Sequence, residues 1–162
     1  MARELGLPAE AEGAKFIMVE DDGVGREHPL SGEKLSLVLT VYKVKDFDAA
    51  MEHTQNVLNY QGMGHSIGIH TNTPEHATRL AEDMDVVRVL VNQAHTFGNG
   101  GSFNNGLNFT LTMGCGTWAG NAISENLGYQ HFINITHLVT TIPEDKPSED
   151  SLFLSYWEKN GK

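Results

Sequence analysis

Cysteine is almost absent from this chain of 162 residues: Cys115 stands alone, so no internal disulfide can form. Such cysteine usage suits a reducing compartment, and a cytoplasmic setting is the expectation. Basic residues are scarce as well. Eleven Lys and Arg face 21 Asp and Glu, for a formal net charge of −10, and the basic ones are scattered without a stripe or run. That excludes nucleic acid as the expected partner, because phosphate binding needs clustered cations. An anionic cofactor is not excluded, since a local pocket can oppose the global field. No run of about 18 apolar residues occurs, so no membrane span is expected. The opening Met1-Ala2-Arg3-Glu4-Leu5-Gly6-Leu7-Pro8 lacks the apolar core of a secretion signal. The eight histidines show no ligand grouping; His65 and His70, five apart across a predicted strand, point to opposite faces, and no metal site is expected. Gly98-Asn99-Gly100-Gly101-Ser102 has neither the dinucleotide nor the phosphate-loop spacing, and reads as a loop.

What is present is the material of one globular domain, long enough to bury roughly 70% of its unfolded surface. Phe16, Ile17, Met18 and Val19 predict a short strand, and Asp21-Asp22-Gly23 a turn. Residues 35–44 form a continuous apolar and β-branched run, the pattern of a strand buried on both faces. A helix follows, capped by Asp46, with Phe47, Ala50, Met51, Val57 and Leu58 in one stripe. A second has Thr73 as N-cap, Pro74 at the first helical position, and a stripe of Ala77, Leu80, Ala81 and Met84. Short strands are predicted over 66–71 and 86–91. Strand, helix, strand, helix, strand in that order implies parallel crossovers and a three-layer α/β fold with a mostly parallel sheet. Residues 92–121 turn to Gly, Asn, Ser and Thr, a functional or partner-packed loop; 124–131 read as helix-like. Residues 132–142 are β-branched and alternating, an edge or exposed strand stopped by Pro143, and the tail from Ser148 with Leu152, Phe153, Tyr156 and Trp157 predicts a short amphipathic helix.

Three side chains are candidates for chemistry. A nucleophilic cysteine needs a histidine, a helix N-terminus or a cation to lower its pKa. Cys115, in Thr112-Met113-Gly114-Cys115-Gly116-Thr117-Trp118, has none of these close in sequence. Glu33 and His65 each precede a predicted strand, where polar side chains line clefts at a sheet's end; a solvated carboxylate and a hydrogen-bonded histidine are the plain alternatives.

The run Gly114-Cys115-Gly116-Thr117-Trp118-Ala119-Gly120-Asn121-Ala122-Ile123-Ser124-Glu125-Asn126 resembles a stretch near the C-terminus of the CoA-acylating aldehyde dehydrogenases. Gly32-Glu33-Lys34-Leu35-Ser36, Gly62-Met63-Gly64-His65-Ser66 and His131-Phe132-Ile133-Asn134 match the family in order, and the likeness spans essentially the whole chain. The 92–107 loop and the 147–157 tail are more similar to the acylating sulfoacetaldehyde dehydrogenases. The resemblance implies thioester chemistry, in which an aldehyde, CoA and NAD(P)+ give acyl-CoA and NAD(P)H. It places Glu33 on the nicotinamide ribose, where a carboxylate can accept from both hydroxyls of a diol. It puts Leu35 beside the nicotinamide and His65 near the thioester as a general base for the CoA thiol.

The same resemblance puts the family's nucleophile upstream of the Glu33 segment, in sequence preceding Met1, together with the dinucleotide-binding half. Cys115 matches a different family cysteine, and Leu37 stands where many relatives have proline. The expectation is therefore a partial catalytic domain over 1–131, an oligomerisation strand over 132–143 and a tail helix over 144–162. Alone, the chain is expected to be inactive and to bind neither NAD(P) nor CoA tightly. Its expected partners are another copy through the 132–143 strand, the missing N-terminal half, or full-length relatives. A non-catalytic oligomerisation or scaffold module is the alternative, and a small thiol enzyme using Cys115 a third reading.

Overall fold

The structure, a computed structural model, describes residues 2–162. It divides into two units, one running to His131 and the other Phe132–Lys162. In the first, the strands are β1 (Ile17–Glu20), β2 (Val38–Val41), β3 (Ile67–Ile69) and β4 (Val89–Val91), and the helices α1 (Phe47–Gln61), α2 (Pro74–Asp83) and α3 (His95–Asn99). Both pairings are parallel: Ile17 opposite Val38 through Glu20 opposite Val41, and Ile67 opposite Val89 through Ile69 opposite Val91. The chain is an α/β protein whose strands form two parallel pairs rather than one continuous sheet.

Local chemistry accounts for the helices. Asp46 is extended and its side chain accepts from the Ala49 amide at 2.8 Å, starting α1 as its sequence predicts. Thr73 occupies the N-cap position with Pro74 after it, but its side chain makes no capping bond. Its own amide donates to Thr71 Oγ1 at 3.0 Å instead. Met51 from α1, Leu80 and Met84 from the α2 region, and Val86 form the buried core, with Phe47, Leu58, Ile67, Ile69 and Val89 packed around it. Of the predicted α2 stripe, Ala81 faces solvent.

Several expectations are corrected. The strand within 35–44 is not buried on both faces: Leu35, Leu37 and Leu39 are exposed, because no described element covers that side of β2. Residues 124–131 do not make a helix beyond one 3-10 turn, Tyr129–His131. Their backbone is committed elsewhere. Gly114, Gly116 and Leu127 amides donate to Glu125, Ile123 and Thr112 carbonyls at 2.9, 2.9 and 3.0 Å, an antiparallel clasp with a bridge at Met113 and Asn126.

In the second unit, residues 132–147 make no backbone hydrogen bond among the described residues, so no strand forms over 132–143. A strand exists only with a partner to complete its ladder. α4 (Glu149–Asn160) follows, capped by Ser148 Oγ accepting from the Ser151 amide at 3.1 Å. Among the described residues no helix is long and apolar enough to cross a membrane.

Candidate functional site

The stretch carrying Glu33 and Leu35 connects β1 to β2. Its first turn is fixed by Asp21, whose Oδ1 accepts from the amides of Asp22 and Gly23 at 2.8 and 3.3 Å and from His28 Nδ1 at 2.7 Å. The His28 hydrogen bond, outweighing partial desolvation, holds the Asp21 carboxyl below the usual range. Asp21, Asp22 and His28 lie within 4.8 Å of one another, a grouping invisible in their spacing, but the shared oxygen is already spent on the turn. At the far end Lys34 Nζ donates to the Leu30 and Gly32 carbonyls at 2.5 and 2.7 Å. The Glu33 amide donates to Gln61 Oε1 at 2.8 Å. Gln61 ends α1, four residues before His65, so this one side chain ties the Glu33 segment to the approach to β3. The Glu33 carboxylate is exposed and has no partner among the described residues. Leu35 is 96% exposed.

His65 follows Gly62, which is held at φ 114°, and Gly64, which the packing requires. At Gly64 (φ 106°) a Cβ would come within 2.4 Å of the Cys115 carbonyl and 2.9 Å of Ala119 Cβ, so the 115–119 loop presses directly on the residue before His65. His65 Nδ1 lies 2.7 Å from Ser66 Oγ, and Ser66 Oγ lies 2.8 Å from His95 Nε2. Burial of the His95 ring, with His65 nearby, lowers its pKa.

Arg88, on the approach to β4, is 6% exposed and clamps three segments. It donates from Nε to Asn126 Oδ1 at 3.0 Å, from Nη2 to the Gly114 carbonyl at 2.9 Å, and from Nη1 to the His65 carbonyl at 3.5 Å. Asn126 in turn donates to the Asn99 and Asn108 carbonyls at 3.1 and 2.7 Å. Burial lowers the Arg88 pKa and the adjacent Cys115 thiol partly offsets this. Cys115 thus has a cation beside it that its sequence neighbours do not supply. Besides Arg88, its Sγ lies 3.9 Å from the Met113 carbonyl, and no imidazole bonds it among the described residues.

Glu33 and His65 are therefore linked, through Gln61 and the Gly62-Met63-Gly64 turn, while Leu35 stands free in solvent. Gln61, Ser66, Arg88, His95 and Asn126 escape sequence reasoning because each acts on a residue 23 or more positions away or through a shared partner.

No family model matches the chain. It is 49% identical over 147 residues, 91% of its length, to a sulfoacetaldehyde dehydrogenase (acylating) of Cupriavidus necator, and covers 30% of that protein. In sequence the chain is similar to one part of the acylating aldehyde dehydrogenases. It spans about 30% of the length of the curated relatives it matches. A sulfoacetaldehyde dehydrogenase of Acholeplasma sp is 39% identical over 90% of the chain and likewise 30% covered. Among solved structures, an acetylating aldehyde dehydrogenase from Geobacillus thermoglucosidasius superposes with a TM-score of 0.76 at 33% identity, over 89% of this chain and 32% of that one. The acylating dehydrogenase fold of this segment is thus matched in both sequence and backbone.

Proposed function

We propose that the chain supplies one wall of the catalytic cleft of a CoA-acylating aldehyde dehydrogenase, the enzyme converting aldehyde, CoA and NAD(P)+ to acyl-CoA and NAD(P)H. The observation that carries this reading is the 49% identity to an acylating relative across 91% of the chain. The nucleophilic cysteine and the dinucleotide-binding half lie outside these 162 residues. Without them covalent catalysis has no first attacker, and the chain alone is silent.

The residues present suit the nicotinamide end of the cofactor, which when bound supplies the hydride acceptor. The unpartnered Glu33 carboxylate can accept from both ribose hydroxyls, and the exposed Leu35 offers an apolar face to the adjoining ring. Phosphate-binding elements are not among these residues, so neither NAD(P) nor CoA binds the isolated chain tightly. His65 serves as general base toward the CoA thiol. The single free thiol supports a reducing, cytoplasmic setting.

A second reading, an oligomerisation or scaffold module, is favoured by one observation. Residues 132–143 leave Phe132, Ile133, Ile135, Leu138, Val139 and Ile142 exposed with no backbone pairing. Such a segment seeks a mate, here a second copy of the chain or a full-length relative.

NADH formation from aldehyde plus CoA tests the first reading. The chain alone gives no signal; mixed with a complementary polypeptide carrying the remaining two thirds of an acylating relative, it restores turnover, and His65→Ala lowers that turnover about 100-fold. Turnover by the unaided chain that disappears in Cys115→Ala would show that Cys115 is a nucleophile and overturn the reading.

A further inference from the structure

Ser66 and His95 have no role in the reading above, yet they join His65 in one hydrogen-bonded chain, 2.7 Å from His65 Nδ1 to Ser66 Oγ and 2.8 Å from there to His95 Nε2. A hydroxyl has a single proton, so between two imidazole nitrogens it donates to one and accepts from the other. The two rings therefore cannot choose tautomers independently. If His65 carries its proton on Nδ1, it donates to Ser66, and Ser66 donates to an unprotonated Nε2 of His95. If the chain runs the other way, His95 carries Nε2–H, and His65 is left with its proton on Nε2.

Building on the assignment of His65 as base, we propose that His95 is a positioning residue: acting through Ser66, it holds His65 as the Nδ1–H tautomer and leaves the Nε2 lone pair free to take the proton of the CoA thiol. Only this direction lets His65 gain a proton at Nε2 without the chain reversing, because Nδ1–H donates to Ser66 both before and after the transfer. The fold builds the arrangement in. Ser66 and Gly68 share one face of the β3 segment, and the His95 ring, at the first residue of α3, lies over it. A Cβ at Gly68 would come within 2.8 Å of His95 Nδ1, so glycine there makes room for the ring. The Arg88 bond to the His65 carbonyl fixes the backbone from the other side. Desolvation of His95 favours its neutral form, the one able to accept at Nε2.

Two-bond nitrogen–proton correlation spectra of the uniformly 15N-labelled chain, at a pH where both imidazoles are neutral, read the tautomers directly. His65 is expected as majority Nδ1–H, with His95 Nε2 unprotonated. Ser66→Ala, His95→Ala and Gly68→Ala each shift His65 to majority Nε2–H, the form unrestrained histidine prefers; Ser66→Thr, which keeps the hydroxyl, does not. A majority Nε2–H His65 in the native chain, or an unchanged tautomer in His95→Ala, overturns the proposal. His95 lies outside the core, so its variant decides the matter even where Gly68→Ala disturbs folding. The spectrum needs no turnover: a failed complementation assay leaves the relay standing, and a wrong tautomer sinks the relay whatever that assay gives.

Discussion

Arg88 carries a charge into a position almost closed to solvent, and what makes this tolerable is that its donors meet acceptors on three separate segments. It is the side chain that holds the 114–126 clasp against β4 and, through the His65 carbonyl, steadies the histidine proposed as base. Replacement by Met, similar in length and free of donors, leaves the Gly114 carbonyl and Asn126 Oδ1 unpaired in a buried place. Urea denaturation of Arg88→Met is expected to show a loss on the order of 3 kcal/mol. A loss under about 0.5 kcal/mol would mean water replaces the guanidinium, and the clamp would have to be abandoned. Nothing in the local sequence, Val86-Val87-Arg88-Val89, marks this arginine as buried; strand alternation alone leaves the choice of face open.

At the scale of elements, Asp46 and Thr73 stand at equivalent positions before two helices and look interchangeable in sequence. The structure separates them. Asp46 accepts from Ala49, whereas Thr73 makes no capping bond and its helix begins on the fixed φ of Pro74. Asp46→Ala is therefore expected to cost about 1 kcal/mol in thermal or urea unfolding, and Thr73→Ala only a few tenths. Equal costs would contradict the geometry. The helices themselves were legible, since a stripe at 3.6-residue spacing reports a local property of the backbone. The 124–131 stretch was not, because its amides and carbonyls are claimed by residues 112–116, and no local periodicity encodes a partner ten residues back.

For the molecule as a whole, surface area is the telling quantity. The chain exposes 12631 Å², against about 8,000 Å² for a compact monomer of its mass, or roughly 9,000 Å² for two separate compact bodies of these sizes. Much of the excess is apolar: Leu35 and Leu37 beside β2, Phe103 and Leu111 in the loop region, and the 132–143 stretch. Patches of this kind mark contact surfaces. Light scattering on a sizing column is expected to give a dimer or larger mass for the chain, and Ile135→Lys with Val139→Lys to shift it to monomer, since charges on an open strand block pairing. A monomeric parent chain would remove the case for this strand as a mating edge.

The sequence by itself determined the α/β class, the places of α1, α2 and the four short strands, the Asp46 cap and the family resemblance, because each rests on spacing, local hydrogen bonding or an ordered set of motifs. Only the tertiary structure decided that the strands form two parallel pairs, that Gln61 joins the Glu33 segment to His65, that Arg88 lies beside Cys115, and that Ser66 bridges His65 to His95. Those facts depend on which distant groups a fold brings into contact with one another. Local periodicity carries no record of that.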